Sequence, residues 1–241
     1  MCAIGNRVFR GVKRPEREIV ELFRGIPSSN INDEMNRLYC MHDYIRLVNT
    51  DKAVQLLGIA ITVKVPAGDN LMFHLALDMA QKGDVVVVDG ANGSNRSLAG
   101  EIMMRHSQGK GIAGWVCDGA IRDFNGAQEL TMPIYASGVT PQGPWKHGPG
   151  EINVPIACGG QVVFPGDIIV GDRDGIVVIR QQDALEIARL AKKHKNVEDE
   201  IMEQIAKNIV AYCTDHVSST EKRMAGKHVE FINDSFANIY K

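Results

Sequence analysis

Apolar positions change their period along this chain, and each change marks an element. In "PEREIVELFRGI" (15–26), Ile19, Val20, Leu22 and Phe23 share one broad face with acidic residues early, which predicts a helix. Pro27 ends it, and a Ser or Asn of "PSSN" can cap a second helix wound by "INDEMNRLYCM" (31–41). "LLGIAITVKV" (56–65) is rich in β-branched residues and reads as a strand; "PAGDN" (66–70) is a turn cluster, and "LMFHLALDMA" (71–80) a helix. "GDVVVVDGAN" (83–92) is a continuous apolar run bounded by Gly and Asp, the pattern of a strand buried on both faces. "AGEIMMRHSQGKG" (99–111) has Gly at its start and after its end and predicts a helix; "IAGWVCDGAI" (112–121) is the next buried strand. Strand, helix and strand at this spacing form a βαβ unit with a right-handed crossover.

"GAQELTMPIYASG" gives a short helix and strand, followed by the Gly/Pro-rich loop "VTPQGPWKHGPGE" (139–151). Between 152 and 179, short apolar runs parted by "CGG", "PGD" and "DRDG" predict antiparallel hairpins. From Asp183 onward Ile187, Leu190, Val197, Ile201, Ile205 and Ile209 recur at helical steps. That predicts one long helix, with too little apolar surface for its length unless part of it packs on another subunit. "FINDSFANIY" (231–240) also has a helical pattern. The chain therefore reads as an α/β protein in three parts: residues 1–24, an extension and first helix; 25–180, the α/β domain; and 181–241, a C-terminal helix and tail.

Composition narrows the function without naming it. Of 241 residues, 44% are hydrophobic and 23% charged, as in ordinary globular domains. The net charge of −2, with Lys and Arg scattered, gives no field for nucleic acid or an anionic membrane. The first residues lack an apolar signal core, and no apolar run reaches membrane-spanning length, so a cytoplasmic location is expected. The five cysteines (2, 40, 117, 158 and 213) are odd in number, widely spaced and without C-x-x-C, which argues against a disulfide framework and a zinc site. Cys117 lies in an apolar run and reads as a core residue.

The chemistry concentrates in "GEIMMRHS" and "CDGAIRDFNGAQE". Gly100 ends the linker from "VVVVD", and the first amides of the following helix lack internal partners, so they can hold a carboxylate or phosphate. Arg122 and Asp123 follow "GWVCDGAI" at its carboxyl end, where ligands gather in α/β layers. The βαβ unit sets the ends of these two strands side by side, so Arg122 and Asp123 can face the amides of Ile102 and Met103. Arg forks onto a carboxylate, and Asp offers a hard oxygen to Mg²⁺. An adjacent Arg–Asp pair is by itself more often a weak surface pair; convergence with the helix start reverses that reading. Asp89 and Asp118 each follow an apolar strand; either can reach the same mouth or cap a turn, and the cap is the favoured reading of both. Gly68, Asp69 and Asn70 can equally ligate or cap. The acids of "PGD" and "GDRDG" are turn chemistry, and His147, with Trp145 in the same loop, is read as solvated.

In this order, "PAGDN", "KGDVVVVDG", "GEIMMR", "GWVCDGAIRD", "NVPIACGG" and "VVFPGDIIVGDRDGIVVI" resemble the RraA-like family over residues 25–205. That family includes the metal-dependent aldolases of 4-hydroxy-4-methyl-2-oxoglutarate and 4-carboxy-4-hydroxy-2-oxoadipate. The resemblance implies an α/β/β/α sandwich of the swivelling β/β/α type, assembled as a homotrimer or homohexamer with sites between subunits. It implies that Gly100, Glu101, Ile102 and Met103 hold the pyruvate part of a 2-oxo acid, that Arg122 binds substrate, and that Asp123 binds Mg²⁺ or Mn²⁺. It also implies an acid from a neighbouring subunit's C-terminal helix holding metal-bound water; Glu198 is the best match, with Asp199 and Glu200 as rivals. The implied reaction is retro-aldol cleavage to pyruvate, with Arg122 and Glu101 catalytic and oxaloacetate decarboxylation as a side activity. Ribonuclease-inhibiting regulators in the family typically lack the Asp after the Arg, so Asp123 favours the enzyme branch. A non-catalytic regulator and a metal lyase or hydratase on another acidic substrate are the alternatives. There is no glycine-rich S-adenosylmethionine loop, against the methyltransferase label some members carry. One departure stands out: the aldolases usually carry an acid three residues after the Asp, and here that place is Gly126.

Overall fold

The computed structural model describes residues 3–49, 52–93, 95–235 and 238. The chain divides into two units, Met1–Lys195 and Asn196–Lys241. In the first, helices α1 (Arg17–Glu21) and α2 (Ser28–Glu34) precede strands β1 (Arg46–Leu47) and β2 (Leu56–Lys64). Then come α3 (Leu71–Met79), β3 (Asp84–Asp89), α4 (Glu101–Lys110), β4 (Gly114–Ile121), α5 (Phe124–Gln128) and β5 (Ile134–Val139). Short strands β6 (Glu151–Ile152), β7 (Ile156–Cys158), β8 (Gln161–Val163), β9 (Ile168–Gly171) and β10 (Ile176–Ile179) lead into α6 (Ala184–Lys207) and α7 (Ile209–Met224).

The main sheet runs β1-β5-β4-β3-β2-β9-β10, with β6 also on β2 and β7–β8 as a separate hairpin. Strands β2 to β5 pair in parallel; β9 and β10 continue the sheet antiparallel. Alternation along each strand builds the layers. Val86 and Val88 face a core with Phe73, Met104 and Trp115 beneath α3 and α4, whereas Val85 and Val87 face Ile169, Ile176 and Val178. The opposite face of β9 and β10, carrying Ile168, Val170, Val177 and Ile179, packs on α1, α2 and Ala184, Ala188 and Ala191 of α6. The sheet thus curls so that its β9–β10 end covers its parallel part, and helices close both outsides. This is the expected α/β/β/α order.

Several boundaries differ from the sequence reading. The first helix is shorter: after Glu21 the amides of Phe23 and Arg24 bond three residues back, and Gly25 turns with φ 73°. The second begins at Ser28, not Ile31, and stops at Glu34, because Asn36 and Arg37 adopt left-handed backbone (φ 54° and 63°). No residue of "PSSN" caps it with its own side chain. Asp172 does so from the β9–β10 turn, accepting from Ser28 N and Ser28 Oγ at 2.7 Å each. The long C-terminal helix is two, broken at Asn208, whose Oδ1 caps α7 by accepting from Ala211 N. In the expected tail helix, 231–235 are not helical, and 236, 237, 239 and 240 lie outside the described residues. The N-terminal segment is tied down: Val8 bridges Ile152, Arg7 pairs with Glu151, and Arg14 pairs with Asp84.

Candidate active site

The site lies at the carboxyl ends of β3 and β4, where two backbone contacts fix its register. Leu98 N donates to Ala120 O at 2.7 Å, and Arg122 N donates to Ala99 O at 3.0 Å. The linker entering α4 therefore runs along the end of β4 and brings Gly100 against Arg122 and Asp123. The fit has no spare room: a Cβ on Gly100 would stand 2.4 Å from Asp123 Oδ2 and 2.9 Å from Arg122 Nε. Asp123 itself is left-handed, with φ 62° and ψ 48°. This conformation turns its carboxylate toward α4, where Oδ2 accepts from Glu101 N at 2.9 Å. A side chain from the turn after β4 thus supplies the cap that Gly100 cannot.

This cap changes which amides are available. Met103 N donates to Gly100 O at 3.1 Å, and Glu101 N is held by Asp123. Of the pair expected to hold a carboxylate, only Ile102 N has no acceptor among the described residues. Arg122 Nε lies 3.5 Å from Asp123 Oδ2 and is buried without a hydrogen bond among the described residues.

A third element closes the site. After β5, Thr140 N donates to Ile121 O, Ser97 N to Gln142 O, and Trp145 N to Gly68 O; Asn70 N in turn donates to Trp145 O. Arg96 donates to Gly143 O at 2.9 Å, with its guanidinium 4.0 Å from the centroid of the Trp145 ring. Asp69, nearly fully buried, accepts from Leu71 N at 2.9 Å and from His147 N and Gly148 N at 2.8 and 3.0 Å. These bonds enclose a cavity of about 240 Å³ bounded by Asn70, His74, Gly100, Arg122, Asp123 and Lys146, with Ile102, Met103, Gly143 and Pro144 completing its wall. Arg122 and Lys146 against one carboxylate make it a pocket for a small anionic ligand. Partial burial, then the Lys146 charge, hold the His74 pKa below its ordinary value.

The structure brings Gly100, Ile102, Met103, Arg122 and Asp123 together on one cavity. Glu101 stands beside it: Oε1 accepts from Arg105 Nε at 2.6 Å, and its carboxyl group overlies Gly126. A Cβ at Gly126 would lie 2.3 Å from Glu101 Cδ, so the missing acid is a position cleared for the side chain of Glu101. Glu198 is exposed on α6 in the second unit, as are Asp199 and Glu200. Asp69 proves to be the cap of its segment, while Asn70 lines the cavity. Asp89 pairs with Lys64 at 2.7 Å. Asp118 accepts from Tyr44 Oη and Gly159 N at 3.0 Å each, and partial burial followed by this bond pushes the Tyr44 pKa up to about 12. Burial also raises the thiol pKa of Cys117 and Cys158. His74 and Lys146 escaped the sequence reading because one lies on an amphipathic helix and the other in a loop whose course only the fold reveals.

Asp123 Oδ1 accepts no hydrogen bond among the described residues, leaving one hard oxygen for a cation. No group of three or more His, Cys, Asp or Glu side chains among the described residues is placed to hold a metal ion. This donor set fits a cation that takes one carboxylate and keeps most of its waters, as Mg²⁺ does. No helix of the described residues is long and apolar enough to cross a membrane.

Residues 28–178 match a family model described as RraA-like, Aldolase/RraA. A protein of Halalkalibacterium halodurans with the provisional name 4-hydroxy-4-methyl-2-oxoglutarate aldolase is 39% identical over 201 residues, covering 83% of this chain and 94% of that one. An uncharacterised protein of Methanocaldococcus jannaschii is 36% identical over 149 residues, 61% of this chain and 72% of its own length. Among solved structures, Streptomyces coelicolor RraAS2, described as an unusual member of the RNase ES inhibitor RraA family, superposes with a TM-score of 0.70 at 28% identity, covering 80% of this chain and all of that one.

Proposed function

The chain belongs to the RraA-like family, and from that premise we propose that it is a divalent-cation-dependent lyase. Its substrate is a 4-hydroxy-2-oxo di- or tricarboxylic acid, cleaved by a retro-aldol reaction to pyruvate, with oxaloacetate decarboxylation as a side activity. The observation that carries this reading is the meeting of Arg122, Asp123 and the start of α4 on one small cationic cavity.

Arg122 and the Ile102 amide bind the 2-oxo carboxylate. Asp123 would hold Mg²⁺ or Mn²⁺, and the bound cation would supply Lewis-acid stabilisation of negative charge on the keto oxygen. As the C3–C4 bond breaks, its electron pair enters the C2–C3 bond and charge builds on the C2 oxygen. Arg122 stabilises that charge from a fixed position. The C4 hydroxyl gives its proton to a water held by Glu101, and C4 leaves as a carbonyl. Protonation at C3 then completes pyruvate. Decarboxylation of oxaloacetate passes through the same enolate, with carbon dioxide in place of the carbonyl product. The chain would work as a homotrimer or homohexamer in which Glu198 of a neighbouring copy would help hold the cation's water.

Coupled detection of pyruvate tests this reading, with 4-hydroxy-4-methyl-2-oxoglutarate and with oxaloacetate as substrates. Release from both is expected, abolished by EDTA and restored by Mg²⁺. No pyruvate from either, with Mg²⁺ supplied, sinks the reading. Arg122→Ala and Asp123→Ala are each expected to lower metal-dependent kcat by about 10²–10³-fold, the usual loss for a preorganised charge-stabilising group. Full turnover in both variants would put the site elsewhere.

A further inference from the structure

Asn70 occupies the N-cap of α3 yet does not cap it. An Asn at this position normally spends its side-chain oxygen on its own helix amides. Here the adjacent Asp69 has taken that work, with Oδ1 on Leu71 N and Oδ2 on His147 N and Gly148 N. The Asn70 side chain is left over, and it is 98% buried, with a relative exposure of 2%. Among the described residues, its Nδ2 reaches only the thioether of Met103, at 3.5 Å. Its Oδ1 is buried with no hydrogen-bond partner among the described residues. Native interiors rarely leave an acceptor in this state unless a water or ligand completes it.

The location of this acceptor gives it meaning. Asn70 bounds the same cavity as Gly100, Arg122 and Asp123. That cavity holds a second orphan of opposite kind, Arg122 Nε, a donor buried without a hydrogen bond. Arg122 is suited to the acidic end of a ligand. Asn70 Oδ1 can only accept, so it asks for a donor. A fully ionised carboxylic acid offers none, whereas a hydroxyl does. The remaining polar groups of the wall, His74 and Lys146, are suited to anionic oxygens and do not bond Asn70.

We propose that Asn70 is a specificity-determining residue whose buried carboxamide oxygen accepts a hydrogen bond from the alcoholic hydroxyl of the substrate as it binds, a contact exchanged for the Glu101-held water when that proton leaves, selecting hydroxylated 2-oxo acids over their deoxy counterparts. The inference rests on the retro-aldol reading for the substrate class, and it deepens that reading by naming the group that recognises the hydroxyl. A site built to bond a hydroxyl rejects an analogue lacking it far more strongly than an apolar pocket rejects a size change, because the buried partner is stranded.

Binding of two ligands that differ only in this hydroxyl tests it. The pair is 4-hydroxy-4-methyl-2-oxoglutarate and 4-methyl-2-oxoglutarate, with Kd for both measured by calorimetry in EDTA, which stops the proposed cleavage of the first. The wild-type protein is expected to prefer the hydroxylated ligand by about tenfold or more, the selectivity expected of a buried acceptor. Asn70→Ala should bring the ratio close to one, while Asn70→Asp, which keeps an acceptor oxygen at the same place, should keep a clear preference. Thermal melting identifies any variant that has lost its fold; Asn70→Leu, which keeps the branched shape without an acceptor, then replaces Asn70→Ala. A wild-type ratio near one, an unchanged ratio in Asn70→Ala, or equal loss in Asn70→Ala and Asn70→Asp overturns the proposal. Pyruvate release by the wild type is scored separately: its absence removes the retro-aldol reading, while the binding ratio still decides whether Asn70 reads a hydroxyl.

Discussion

Asp123 shows how one residue can hold function against local preference. A left-handed backbone at a residue other than Gly is uncommon, though Asp tolerates it better than most, and such conformations collect at functional sites. Asp123 adopts it with φ 62°, and its return is a carboxylate that caps α4 and stands beside Arg122. Asp123→Gly therefore relaxes the backbone while deleting the cap. The two effects are of similar size, roughly 1 kcal/mol each, so Tm should move by only a few degrees while pyruvate release collapses. A melt and a kinetic assay on the same preparation check this. Gly126 makes the complementary case. A methyl group there displaces the Glu101 carboxyl, which is the mobile end of a partly exposed side chain. Gly126→Ala is expected to keep or slightly raise stability, by at most about 1 kcal/mol, and to lower kcat/KM by about tenfold or more, as a misplaced catalytic group does. Unchanged kinetics would show that the position of Glu101 is immaterial. His74 carries a pH signature. Its pKa is held below the ordinary 6.5, so as pH falls through that value the unfolded chain takes up the proton first and stability is lost. His74→Asn should flatten the decline of Tm below pH 6.5 relative to wild type.

At the scale of elements, the parallel strands and the α4 start were legible because burial on both faces writes a continuous apolar run, and a βαβ unit fixes which strand ends are neighbours. That is why Gly100, Arg122 and Asp123 could be placed together before any coordinates. The wall formed by the segment after β5 was not legible. Lys146, Gly143 and Asn70 reach the cavity only because backbone bonds tie Trp145 to Gly68 and Asn70, and backbone bonds carry no residue signature. The break between α6 and α7 was hidden for a related reason: the apolar spacing from Val197 to Ile209 continues through it, and only Asn208, a favourable cap, marks the interruption. Asp69 holds the cavity wall through three bonds to one buried carboxylate. Asp69→Ala should cost about 2–4 kcal/mol, since bonds to a charged acceptor are each worth about 1.5–3 kcal/mol and part of the loss is recovered by water. Hydrogen exchange should locate the damage, with faster exchange at His147 and Gly148 and little change in β3 or β4.

At the scale of the whole molecule, the first unit is a closed layered body, whereas the second leaves several of its apolar residues exposed. Val197 and Met202 on α6 and Ile209, Val210 and Val217 on α7 are all exposed. Exposed apolar residues on both helices accord with the proposed trimer or hexamer. If a neighbouring copy's Glu198 completes the site, two defects in different chains must be able to repair each other. Asp123→Ala removes the cation's carboxylate, and Glu198→Ala removes the acid that the neighbour lends. Each variant alone should be impaired, the first by about 10²–10³-fold and the second by about tenfold, in line with loss of an outer-sphere partner at a metal site. When the two are unfolded, mixed and refolded together, some interfaces pair an intact Asp123 with an intact Glu198, and activity should exceed the sum of the separately refolded variants. With equal mixing, about a quarter of the sites are expected to be intact, because each of the two contributions comes from the wild-type side half the time. Recovery near that fraction, together with a trimeric or hexameric mass by light scattering, places the site between subunits. Strictly additive activity in a mixture of confirmed oligomers would confine the site to a single chain and leave Glu198 without the role proposed for it.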